Sequence, residues 1–388
     1  MSPNENDTLL RTIQELIRIE STASNPDGLR TAYQFVKQLL AESGKAITIE
    51  EFERNGKPSL LAYSSKARPK KFHIILNGHV DVVPGTPEQF QPEVRGDKLY
   101  GRGACDMKAA AVVLVQLFCD YIDQVPYDLG LQIVTDEENA GHDGTMYQVE
   151  QGVRADFVLC GDCGRTTSNY VIANEAKGMV SVKLAFQGRA THGAYPWRGD
   201  NAALKAAQFV QRLHDFYPTP NEATGETTVT VTSIVTKATS LTQIPGESTV
   251  ALDARYATGD PHFASQAAFE AHLAAIDASA EIVEFVDFSA PMYTDPHDPL
   301  LLQLKEAAER IESHDFSLIK NNGTSDGRFY CAVGVPACEF GIPGEGQHST
   351  EEYIPLSALY TYRDTMRLFL DSTLIEATVS KPTEAVSA

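Results

Sequence analysis

The sequence predicts an α/β fold with a mixed, mainly parallel sheet and an inserted α+β (ferredoxin-like) domain. Three observations predict the layered architecture. Short, continuously apolar strands alternate with amphipathic helices up to residue 160, the pattern of a largely parallel sheet covered by helices. From Met179 the strands instead alternate apolar and polar residues, as half-solvated strands do. After Pro291 the helical period returns. The expected boundaries are 1–174 and 289–388 for the two parts of the larger domain, and 175–288 for the insertion.

In chain order, Leu9, Leu10, Ile13, Leu16 and Ile17 share one helical face, with Asp7 as the expected N-cap. Leu29, Ala32, Tyr33, Val36, Leu39 and Leu40 form a second such face. Phe72–Leu76 is an apolar strand, Lys108–Ile122 a helix, and Leu129–Val134 and Asp156–Cys160 are further buried strands. In the insertion, Met179–Phe186 alternates and stops at Gly188. A helix follows over Asn201–Phe216, then strands over Thr227–Ser233 and Ser248–Tyr256, then a helix over His262–Ile276. That β-α-β-β-α order suits a small α+β domain. A helix over Pro299–Ser313 belongs to the returning chain, and the tail after Thr373 is small and polar. No internal repeat is present.

A chain of 388 residues accommodates two domains, and 43% hydrophobic residues suffice for sizeable cores. With 32 Lys+Arg against 52 Asp+Glu, the formal net charge is -20. That excludes nucleic acid and anionic membrane surfaces as partners, because both require a basic footprint. The N-terminal residues lack a basic region and an apolar core, so no secretory signal is expected. The longest apolar run, Ala109–Val115, is too short to span a bilayer. Six cysteines are too few for a disulfide framework in a chain this long. A soluble cytoplasmic protein is expected.

Chemistry gathers at strand ends. Asn77–Pro84 holds His79 and Asp81. Residues two apart in extended chain point the same way, and a ligating imidazole needs an acceptor for its other N–H. A lone His-x-Asp is more often an ordinary core pair, so its company decides. Gly101–Lys108 places Asp106 before a helix, where it either bridges two cations or caps the helix. Thr135-Asp136-Glu137-Glu138 stacks three acids after a buried strand, and their mutual repulsion asks for a positive partner. Asp162 follows another strand, and His348 lies in the polar loop Gly346–Glu352. Two imidazoles, three carboxylates and one spare Glu make the ligand set of a hydrolytic di-metal site.

These motifs resemble a known family over nearly the whole chain. The runs are His79–Pro84, Gly101–Lys108, Asp136–Glu138 and Gly-Thr-Ser-Asp-Gly-Arg-Phe at Gly323–Phe329. The chain is similar to the di-zinc amidohydrolases that include aminoacylase, acetylornithine deacetylase, succinyl-diaminopimelate desuccinylase, carnosinase and glutamate carboxypeptidase. The resemblance implies that His79, Asp106 and Asp162 hold one ion, and that Asp106, Glu138 and His348 hold the other. It implies two divalent ions, zinc with cobalt or manganese as alternatives. Asp81 would orient His79, and Glu137 would be the general base acting on a water between the ions. His192 would stabilise the oxyanion, often from the partner subunit, so the insertion is expected to act as a lid and dimerisation domain of a homodimer. Arg255, Thr324 and Arg328 would bind substrate, the arginines by the planar fork that suits a carboxylate. Thr242 stands where many relatives carry Asn.

The implied substrate is a small molecule, an N-acyl amino acid of the acetylornithine or succinyl-diaminopimelate type. The alternatives are a dipeptidase or carboxypeptidase of the same family, and a non-catalytic binding protein on the same fold. Cys160 and Cys163 form a Cys-x-x-Cys with no second pair at matching spacing, which favours packing thiols over a structural zinc site or a redox pair.

Overall fold

Both N-terminal apolar faces form helices, Pro3–Ile17 and Pro26–Glu42, in a computed structural model that describes residues 3–125, 129–162, 170–313 and 315–376. The first helix starts earlier than its apolar face, at Pro3, so Asp7 lies inside it and is not its cap. Asn25 caps the second, its side chain accepting from Gly28 N at 3.1 Å, with Pro26 in the first turn.

The chain divides into two units. The first comprises residues 1–174, 293–319 and 325–388; the second comprises Glu175–Met292 together with Lys320–Thr324. In the first unit the strands run in the order Thr48–Arg54, Lys57–Tyr63, Leu129–Val134, Phe72–His79, Ala155–Cys160, Ala337–Glu339. The last four are parallel neighbours, and the first two form an antiparallel hairpin on the edge. Asn55 and Gly56 turn that hairpin with φ of 50° and 76°, the twist that two-residue hairpins require.

The central strand extends to His79, three residues beyond its apolar run. His79 pairs with Val134, and Asn77 with Cys160. The segments after Val134 and Cys160 therefore leave the sheet at the same carboxyl end as His79, the usual place for a ligand in such sheets. Helix Lys108–Tyr121 is buried along almost its whole length, and Leu356–Leu370 buries Leu359, Tyr362, Met366 and Phe369 in the same core. Helix Pro299–Glu312 ends at Ser313, whose φ of 57° stops it.

The second unit is a four-stranded antiparallel sheet in the order Thr228–Thr236, Glu247–Tyr256, Gly178–Gln187, Glu281–Ser289. Helices Ala202–Phe216 and Gln266–Ile276 supply Phe209, Leu213, Phe269 and Leu273 to a core with Val180, Val182, Leu184, Val250 and Leu252. The connectivity is β-α-β-β-α-β. The last strand escapes a periodicity search because its pairing slips twice, between Ile282 and Glu284 and between Phe285 and Asp287, which breaks the alternation. The second helix starts at Gln266, capped by Ser265, because Pro261–Phe263 forms a separate turn. Among the described residues, no helix is long and apolar enough to cross a membrane.

Candidate metal centre

His79 ends the central strand with 2% of its surface exposed. Its Nδ1 faces the backbone carbonyl of Asp81 at 3.0 Å, while the Asp81 carboxylate is farther, at 3.6 Å. Asp81 thus orients the ring chiefly through its main chain. Its carboxylate accepts from Glu137 N at 3.3 Å and Glu138 N at 3.0 Å, fixing the acidic turn. The acceptor on Nδ1 leaves Nε2 facing Asp106.

Asp106 sits between two imidazoles. Its Oδ1 is 3.0 Å from His79 Nε2, and its Oδ2 is 3.2 Å from His348 Nε2. Gln347 Nε2 also donates to Oδ2, at 2.5 Å. His348 Nε2 lies 3.2 Å from Glu138 Oε2. His348 takes φ of 60°, left-handed backbone that is uncommon for a residue with a side chain. Donor atoms of His79, Glu137 and Asp162 fall within 4.8 Å of one another, as do those of Asp106, Glu138 and His348.

The charges are strongly perturbed. Burial pushes Glu137 and Asp162 well above the usual carboxylate range, and neighbouring acids add to the effect. Burial and Asp106 likewise raise Glu138. Burial also works against a charged Asp106, yet His348 and His79 hold it below its ordinary value. Burial alone would lower His79, but the hydrogen bonds of Asp106 and Asp81 outweigh it and raise it. Hydrogen bonds to Asp106 and Glu138 raise His348 to about 10. The positive groups paired with Asp106 and Glu138 are imidazoles. A hard or borderline divalent cation fits this set of carboxylate oxygens and imidazole nitrogens and would relieve the repulsion.

The remaining expected site residues lie as follows. Arg328 is buried and spends its guanidinium on backbone, donating to Ser325 O at 2.8 Å and Ala140 O at 2.6 Å. In the second unit, Arg255 donates to Asp253 and, at 2.9 Å, to Thr324 Oγ1, so two of the expected substrate-binding residues meet. His192 is exposed, its Nδ1 accepting from Ala194 N at 3.1 Å. The carbonyl of Thr242 accepts from Gly193 N, which ties the two loops. Cys160 is buried with a free thiol, and Cys163 lies outside the described residues.

Sequence reasoning missed four contributors. Gln347 adjoins a histidine already singled out. Asp136 accepts from Asp143 N and Gly144 N, and burial with neighbouring Asp326 and Asp81 pushes it up to about 7. Arg102 and Glu352 form a buried ion pair at 2.5 Å, across a separation of 250 residues. Only adjacency to a motif could have signalled these groups.

A family model described as peptidase family M20/M25/M40 matches residues 75–372. A succinyl-diaminopimelate desuccinylase of Dechloromonas aromatica (strain RCB) is 30% identical over 327 residues, covering 80% of this chain and 85% of the relative. The desuccinylase of Cupriavidus taiwanensis is 29% identical over 316 residues, covering 77% and 81%. Among solved structures, an M20 family metallo-carboxypeptidase from Sulfolobus solfataricus superposes with a TM-score of 0.78 at 17% identity, covering 97% of this chain and 100% of that one. Human carnosine dipeptidase 1 gives 0.68 at 17% identity, with 96% of each chain covered.

Proposed function

Because the chain belongs to peptidase family M20/M25/M40 and is a metal-dependent amide hydrolase, we propose that it cleaves the amide of an N-acyl amino acid, as a deacylase of the desuccinylase type. The observation that carries this is the Asp106 carboxylate set between His79 and His348, with Glu137, Glu138 and Asp162 around it. Identity of 29–30% to desuccinylases over most of the chain supports the substrate class.

His79, Asp106 and Asp162 would hold one divalent ion and Asp106, Glu138 and His348 a second, zinc in the first instance with cobalt or manganese as substitutes. When bound, such ions supply Lewis acidity and bring water toward ionisation at neutral pH. Glu137 takes the proton of the attacking water on its carboxylate and delivers it to the departing nitrogen as the C–N bond breaks. Its carboxylate stands with the donor atoms of His79 and Asp162, where a water between the ions would be within reach. His192 donates to the oxygen that gains negative charge. Arg255, Thr324 and Arg328 serve the substrate carboxylate, Arg328 by holding Ala140 beside the acidic turn.

A homodimer is the expected assembly. Its support is the uncharged edge strand Thr228–Thr236, whose Ile234 and Val235 are 51% and 54% exposed. A cytoplasmic location is proposed with it, supported by likeness to bacterial desuccinylases. A hydrolysis screen of N-succinyl and N-acetyl amino acids and dipeptides on zinc-reconstituted protein tests the proposal. Preference for dipeptides would make the enzyme a peptidase, and turnover of none of them would leave only the binding-protein alternative.

A further inference from the structure

Asp106 and His348 are 242 residues apart, and their loops meet over one buried ion pair. Glu352 is 2% exposed. Its Oε1 accepts three main-chain N–H groups, Gly103 at 3.0 Å, Cys105 at 2.9 Å and Asp106 itself at 3.1 Å. Its Oε2 takes Arg102 at 2.5 Å. The other end of the Arg102 fork donates to Ser349 O at 3.0 Å, next to His348, and a second bond comes to Ser349 O from Gln89 Nε2 at 2.8 Å. Gly103, at φ of 85°, lets the chain turn its amides inward; a Cβ there would lie 2.9 Å from Lys108 Cδ and Val82 Cγ1.

Charge-assisted bonds of this kind are short and directional, so a carboxylate with three amide donors fixes a loop more tightly than neutral contacts would. Stability alone is a weak reason for such a pair, since buried ion pairs can often be replaced by apolar groups at no loss. Asp106 is held at both ends: its amide donates to Glu352, while its oxygens face the two imidazoles and accept from Gln347.

We infer that Glu352 and Arg102 are positioning residues. Glu352 sets the direction of the Asp106 carboxylate, and Arg102 clamps the His348 loop against it. The Asp106–Glu138–His348 donor group is thereby built before a cation arrives. The inference rests on the metal-centre reading above, but it concerns residues that donate nothing to the ion.

The test is the affinity of purified, chelator-stripped protein for Zn²⁺, measured by competition with a chromophoric chelator, alongside the melting temperature of the stripped protein. Glu352→Asp keeps the charge but draws the carboxylate back from the three amides. It should weaken zinc binding about ten- to a hundredfold, the usual effect of losing an outer partner of a ligand, with stripped protein melting near wild type. Arg102→Lys keeps the positive charge but cannot serve Glu352 and Ser349 together, and should lose affinity by a smaller factor. Affinities within about threefold of wild type in both variants overturn the inference. So does a fall in melting temperature with zinc affinity unchanged, which would make the pair ordinary core. A wild-type protein that takes up no zinc under the same conditions sinks the metal-centre reading itself, and this inference with it.

Discussion

Under the proposed mechanism, replacing Glu137 by Gln removes a proton carrier without removing its bulk. Glu137→Gln should keep bound metal and slow turnover by roughly a hundred- to ten-thousand-fold, the range typical of lost general acid–base help; turnover within a few-fold of wild type would place the base elsewhere. The imidazoles lead to a pH dependence. His348 is raised from 6.5 to about 10, so in metal-free protein at neutral pH it carries a proton, and a cation binds its nitrogen only after that proton leaves. Raised carboxylates at Glu137, Glu138 and Asp162 compete in the same sense. Zinc affinity should therefore climb as pH rises toward about 10, with protons released on binding. Calorimetric titration at pH 7.5 in buffers of different ionisation enthalpy measures that release, and buffer-independent heats would contradict it. Donor residues were legible in the sequence because each sits at a strand end or in a polar loop with a motif around it. Their supports were not. The carbonyl that orients His79 belongs to the backbone, which every residue has, and Asp136 differs from its neighbours only in which amides it faces.

At the scale of elements, the two edges of the four-stranded sheet differ. Glu281–Ser289 carries Glu281, Glu284 and Asp287 and slips register twice, devices that discourage pairing with another chain. Thr228–Thr236 carries no charge over nine residues. Val235→Lys should accordingly convert a dimer to monomers without unfolding the sheet, read by light scattering and melting temperature; an unchanged dimer would place the interface on another face. Strands buried on both sides were legible as short continuous apolar runs, and helices with one clean apolar face by their period of 3.6. What escaped was local chemistry that overrides a period. The Asn55–Gly56 hairpin turn, the helix start at Pro3 and the slipped final strand are of this kind.

For the whole molecule, the insertion was readable as a change of strand character near residue 179, but not the short return of Lys320–Thr324 to the second unit, because five residues carry no period. If His192 serves the partner's centre, mixing His192→Ala with Glu137→Gln protein should restore activity in exchanged heterodimers, one of whose sites has both residues intact. Tagged subunits would verify exchange, and exchanged heterodimers without a gain would confine His192 to its own chain. The tie between Arg102 and Glu352 also has a temporal side. A ribosome adds roughly 5–20 residues per second, so Arg102 emerges tens of seconds before the carboxylate that completes its pairing, 250 residues later. Through that interval the nascent chain presents His79, Asp106 and Glu138 in sequence but without the clamp or His348. If a second ion binds at Asp106, Glu138 and His348 as proposed, its capture waits for the end of translation, and a ribosome stalled short of residue 346 would display a chain unable to retain it.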